Sequence, residues 1–192
     1  MADFDVHLLA TSDGTWDKFR SDWSAQCAAV GESFDEYASD SLGILGEIVT
    51  GTLSNLGGVN DTRVGALWDE ESDHYYAVWM LNHTMVPGTP GYTLRVRHVL
   101  VSPLLDYGVA EVALYPDVIV GILSGVVHLS STVLGANNIR FHLRSPEDQA
   151  FFKTLGTDLG GSGVFASVQT HGAWLYITKS GAVVGSSEIG VE

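Results

Sequence analysis

With 192 residues, 45% of them hydrophobic, the chain suits one domain with its own apolar core. Its single cysteine, Cys27, excludes an internal disulfide framework, and a formal charge of −14 repels phosphate backbones, so no nucleic-acid partner is expected. The acidic start MADFDVHLLA lacks the basic region and apolar run of a secretory signal, and the longest apolar run, VIVGILSGVV (118–127), is about half of the ~20 residues that span a bilayer, so no membrane association is expected.

The charge is uneven: residues 1–92 carry 15 acidic and 3 basic side chains, and residues 93–192 carry 8 and 6. The acidic half is either a solvated surface or a face for a basic partner.

In chain order, Asp5 to Thr11 reads as a first strand. Ser12-Asp13-Gly14-Thr15 follows with turn and helix-cap chemistry. Trp16, Phe19, Trp23, Cys27 and Val30 recur at three- and four-residue steps, which predicts one apolar helix face closed by Gly31. Cys27 on that face reads as packing. A second helix is expected from about Asp35 to Leu56, with Tyr37, Leu42, Leu45 and Ile48 toward the core; Gly43, Gly46 and Gly51 weaken it by about 1 kcal/mol each against alanine. Strands near Arg63–Trp68 and Tyr75–Val86 are joined by DEESDH (69–74), whose spacing fits no calcium loop.

After PGTPG (87–91) comes LRVRHVLV (94–101). Strict alternation puts Leu94, Val96, His98 and Leu100 on one face, and Arg95, Arg97, Val99 and Val101 on the other. Pro103 ends the strand. Pro116 marks a helix start, and VIVGILSGVVHLSSTVLG is apolar nearly all round, so this helix is expected to be largely buried, His128 included. A strand, IRFHLR (139–144), follows and puts Arg140, His142 and Arg144 on one face. Ser145 then caps a helix whose first position is Pro146. The loop LGGSG (159–163) leads into a hairpin, VFASVQT and AWLYITK, and residues 181–192 read as a C-terminal tail beyond a single domain over 1–180. The histidines form no H-x-H, H-E-x-x-H or Cys/His cluster, so no metal site is expected. The order of strands and helices predicts an α/β (α+β) fold with a mixed sheet flanked by helices.

This order resembles the GCN5-related N-acetyltransferase (GNAT) fold over residues 5–179, most firmly over 93–179. The resemblance implies a mostly antiparallel central sheet and a fourth strand whose backbone meets acetyl-CoA. It also implies a [QR]-x-x-G-x-[GA] turn whose N–H groups hold the cofactor's pyrophosphate. Leu105-Asp106-Tyr107-Gly108-Val109-Ala110 has that spacing, with Leu105 where the family has Gln or Arg and with Asp106 adding negative charge. On this resemblance Val99, Val101, Gly108 and Ala110 are candidate cofactor-binding residues, and His98 and Glu111 are candidate bases. Phe152 falls where many members carry a tyrosine that protonates the departing thiolate, and it has no proton to give.

Arg95, Arg97, Arg140 and Arg144 have two readings. They bind an anion or a partner's carboxylates, or they pair with the acidic half of this chain. The expectation drawn from these departures is a GNAT-like binding or assembly protein with a degenerate acetyl-CoA site. Analogy with small phage-encoded relatives suggests a virion component. No cofactor is then expected, a protein partner or a homo-oligomer is, and the location is cytoplasmic or virion. The alternative is an acyl-CoA-dependent N-acetyltransferase acting on an amine or lysine, with acetyl-CoA as cofactor.

Overall fold

The computed structural model describes residues 4–53, 61–110, 113–143 and 165–180, together with 152, 154 and 156. The tail from 181 to 192 and the loop from 159 to 163 lie outside the described residues.

Strand β1 (Phe4–Leu8) leads into helix α1 (Thr15–Ala29). Asp13 Oδ1 accepts from Thr15 N and Thr15 Oγ1 at 3.0 and 2.7 Å, an Asx-type turn that starts the helix. Trp16, Phe19, Trp23 and Cys27 are buried along one face, as their spacing predicts. Helix α2 (Ser39–Val49) is shorter than the expected 35–56. Ala38 sits at φ 46, in the left-handed region, so the helix cannot extend back through Tyr37. At the other end Gly51 (φ 80) breaks it, while Thr50 Oγ1 donates to the Gly46 carbonyl.

The meander follows as β2 (Asp61–Asp69), β3 (His74–Met85) and β4 (Tyr92–Val101). A four-residue helix α3 (Pro103–Asp106) and a long helix α4 (Leu114–Ser131) carry the chain to β5 (Asn138–His142). The hairpin β6 (Phe165–His171) and β7 (Trp174–Lys179) completes a seven-stranded sheet of order β1-β2-β3-β4-β5-β7-β6. Every described pairing is antiparallel except β4 with β5, which α4 connects as a parallel crossover. The fold is mixed α/β with a mostly antiparallel sheet flanked by helices, in the order the resemblance implies.

Each face of the sheet carries a core. On one, α4 packs Val118, Ile122, Leu123 and Val126 against Leu67, Leu81, Leu94 and Val96. A Cβ at Gly121 would lie 2.9 Å from both Leu67 and Phe4, and one at Gly125 would collide with Val6, so these glycines set how closely α4 lies on β1 and β2. On the other, α1 and α2 cover Val64, Ala66, Tyr75 and Val78. Helix α4 is long and apolar enough to cross a membrane by length and composition, yet it packs on the sheet as a core helix does. It is less enclosed than expected. Ser124 and His128 are exposed on its outer face, away from the sheet.

His7, on β1, lies 3.0 Å from the Tyr75 hydroxyl through Nδ1. Burial holds the imidazoles of His7 and His83 below the usual histidine value. The unfolded chain therefore binds protons below about pH 6.5 that the folded chain refuses, so stability is full above that pH and falls as pH drops through it. Thermal unfolding midpoints at pH 7.5 and 5.5 check this. The midpoint is expected to be lower at pH 5.5, with the gap narrowed in a His7→Gln/His83→Gln double variant.

Candidate functional site

Strands β4 and β5 pair in parallel from Thr93↔Asn138 to Val96↔Phe141 and then part. Each is held by its other neighbour as it leaves. The end of β4 stays on β3, with Ser102 N donating to the Tyr76 carbonyl at 2.9 Å. Beyond β5, Leu143 N donates to the Ala173 carbonyl at 2.8 Å, which keeps the chain beside β7. Among the described residues, the register of β4 with β5 ends at Val96↔Phe141.

A β-bulge lies at this split. Met80 pairs with Arg97 and Val78 with Leu100, so His98 and Val99 together oppose Trp79. His98 takes φ 49, which is unusual for a side chain with a Cβ and costs of order 1–3 kcal/mol. The bulge also corrects the strict alternation expected for this strand. The extra residue reverses the facing of everything after it, so Val99 and Val101 join Leu94 and Val96 against the α4 core, while Leu100 turns to the α1–α2 side.

A cavity of about 210 Å³ occupies the split. Val99, Leu100 and Val101 form its β4 wall, Phe141, His142 and Leu143 its β5 wall, and Ile119, Ile122 and Phe152 an apolar floor. Phe152 is buried and stacks on Phe141 at 5.9 Å. Three polar side chains that were not candidate site residues reach the lining: Tyr37, Asp106 and Tyr115. The Tyr37 hydroxyl lies 3.1 Å from both the Val101 carbonyl oxygen and Asp106 Oδ2, and with one proton it donates to one of them at a time. Burial, and then the Asp106 carboxylate, hold the Tyr37 phenol far above its usual value, so it serves as a donor and not as a base. Tyr37 read as one more apolar helix position; only its place before the α2 break brings its hydroxyl to β4. The lining suits a slender apolar arm entering beside a free strand edge.

The turn after β4 is closed on itself. Gly108 takes φ 66, and its N–H donates to the Leu105 carbonyl at 3.1 Å. The N–H groups of Val109 and Ala110 both donate to the Leu104 carbonyl at 2.9 Å. These are helix C-cap bonds for α3, so they satisfy the donors of the turn internally. Glu111 lies outside the described residues.

The arginines gather on the opposite face of the strands from α4. Arg95, Arg97 and Arg140 line a second cavity with Trp174 and Tyr176. Among the described residues the ion pairs are Lys18–Asp73, Arg63–Asp61 and His74–Asp22, so none joins these three arginines to the acidic half. Arg144 lies outside the described residues. His142 links the two cavities: it lines the first, and its ring packs on Trp174 at 4.7 Å.

No protein-family model matches the chain, and no curated protein sequence matches it. Solved structures do. The KacTA–DNA complex is 14% identical with a TM-score of 0.44, over 73% of this chain and 79% of that one. AtaTR bound with acetyl-CoA is 18% identical with a TM-score of 0.44, over 93% and 94%. The PaiA N-acetyltransferase of Thermoplasma acidophilum in complex with coenzyme A is 13% identical with a TM-score of 0.38, over 92% and 98%. Two of these hold acetyl-CoA or coenzyme A, and one is a complex with DNA. They overturn two absences expected above, of a cofactor and of a nucleic-acid partner. The physical reason is that both absences were read from sums and single positions. Net charge averages over the whole surface and does not see three clustered arginines, and Leu105 and Phe152 say nothing of a channel formed by two parting strands.

Proposed function

We propose that the chain binds the thioester arm of an acyl-CoA in the β4–β5 split and supports acyl transfer to an amine. The observation that carries this reading is the split itself: a bulged strand with a free edge, parting from its parallel neighbour over an apolar cavity of about 210 Å³. Bulges and strained residues gather where a strand is re-aimed for function.

The free edge at Val99–Val101 would meet the amides of the arm, and Ile119, Ile122, Phe141 and Phe152 would pack along it. When bound, the thioester supplies an acyl carbon open to attack by an amine. His142 is the imidazole on the lining and takes the proton from that amine. Tyr37 stays protonated and donates to the Val101 carbonyl or to Asp106 beside it. A phenol at position 152 is not required, because a thiolate is a far better leaving group than an alkoxide or an amide anion and can depart without a dedicated acid. The excess of acidic residues over 1–92 favours a cationic acceptor, such as a polyamine or a lysine side chain. The turn at Gly108 contributes shape more than N–H donors to this reading, since its donors are already bonded.

The test is release of coenzyme A thiol from acetyl-CoA in the presence of spermidine or a lysine peptide. Release above the uncatalysed rate is expected, falling by about 10²-fold or more in His142→Ala, the usual range for loss of a general base. No release with either amine, from a protein that binds acetyl-CoA, would make the chain a binding module.

A further inference from the structure

The second cavity is built from like charges. Arg95 and Arg140 are register partners across β4 and β5, and Arg140 and Tyr176 are partners across β5 and β7. Arg97 lies two residues along β4 on the same face, before the bulge. All three arginines are half-buried. Arg97 lies over the Trp174 ring at 5.3 Å and Arg140 over the Tyr176 ring at 4.9 Å, so the aromatic planes fix where the forks point. Arg140 Nη2 donates to Thr89 Oγ1 at 2.8 Å. Arg97 Nε is buried with no acceptor among the described residues. Burial, and then the neighbouring Arg97 and Arg140, hold the Arg95 guanidinium below its usual value.

This arrangement is costly as it stands. Three cations sit together, one with a buried donor left unbonded, in a chain that has 23 carboxylates against 9 basic side chains and places none of the described ones here. A loss of that kind is offset by an anion that accepts from several forks at once. Three guanidinium groups match a dianion with three terminal oxygens better than a carboxylate with two. The cavity, about 210 Å³ and walled by two aromatic rings, takes such a group with part of what it is attached to.

We propose that Arg95, Arg97 and Arg140, with Trp174 and Tyr176, form a phosphoryl-binding site on the open face of β4, β5 and β7. The site stands on its own geometry and does not require the acyl-transfer reading.

The experiment is titration of the full chain with inorganic phosphate and with glycerol phosphate, at constant ionic strength, by calorimetry. Saturable binding is expected, weakened at least tenfold in the Arg95→Gln/Arg97→Gln double variant and less in Arg140→Lys, which keeps the charge and loses the fork. Arg63→Gln, whose side chain pairs with Asp61 on β2, is the control and is expected to bind as the parent does. Unfolding midpoints of each variant establish that it is folded; relieving like-charge repulsion is expected to leave them unchanged or raised. Acetyl-CoA and a 5′-phosphorylated oligonucleotide, titrated into the same proteins, separate the sources: the ligand whose affinity falls with the double variant carries the phosphoryl group this site reads. No saturable binding of either phosphate, or equal binding by the double variant, overturns the proposal. A normal acetyl-CoA affinity in that case would leave the acyl-CoA site untouched.

Discussion

Trp23→Ala is expected to destabilise the fold by about 3–5 kcal/mol, the range for removing a fully enclosed aromatic side chain. Trp23 has no exposed surface and is the centre of the α1 contact with the sheet. Its ring meets Phe19 at 4.7 Å and Tyr37 at 6.0 Å, and its Nε1 donates to the Tyr75 carbonyl at 2.9 Å. That carbonyl keeps a second donor, Gln26 Nε2 at 3.3 Å, so the loss is chiefly one of packing. Trp23→Phe keeps most of the buried area and is expected to cost less than half as much. Urea unfolding of the two variants checks the difference; a cost below about 1 kcal/mol for the alanine variant would mean that α1 is not held as described. Tyr37 leans on the same ring, so the alanine variant is also expected to loosen the hydroxyl that holds Val101 at the cavity.

Much of this frame was legible in the sequence, and the places where it was not share a cause. The face of α1 could be read because Trp16, Phe19, Trp23 and Cys27 keep helical spacing without interruption. The meander could be read because polar turns separate its apolar runs. The start of α2 could not, since nothing in the composition of 35–38 announces a left-handed Ala38. The bulge at His98 was equally silent. LRVRHVLV alternates cleanly as text, and only pairing with β3 shows that His98 and Val99 share one partner. That single extra residue shapes the site, because it moves Val99 and Val101 to the cavity side just where β4 and β5 part.

The arginines were visible as residues and not as a cluster. Arg95 and Arg97 are close in sequence, but Arg140 joins them only through the parallel pairing, and Trp174 only through β7. Their apparent match with the acidic half was a statement about totals, and ion pairs are made by neighbours. The turn after β4 shows the opposite case. Gly108 and Ala110 stand at a motif spacing, yet spacing does not reveal where an N–H points, and here Leu104 and Leu105 take those donors.

The second large effect concerns the split. Val99 is half-buried on the β4 wall of the cavity and contributes a small side chain there. Val99→Trp fills much of the space between the β4 wall and the apolar floor while leaving the sheet pairing with β3 in place. It is expected to abolish binding of an acyl-CoA arm, a loss of at least a hundredfold in affinity, or about 2.7 kcal/mol. Far-UV circular dichroism and the unfolding midpoint separate a filled channel from a failed fold.

Calorimetric titration of acetyl-CoA into the full chain and into Val99→Trp decides whether the split holds an acyl-CoA. A Kd in the micromolar range is expected for the parent, with no measurable binding for the folded variant. Absence of binding by the parent up to millimolar acetyl-CoA, or equal affinity in the two proteins, would contradict it.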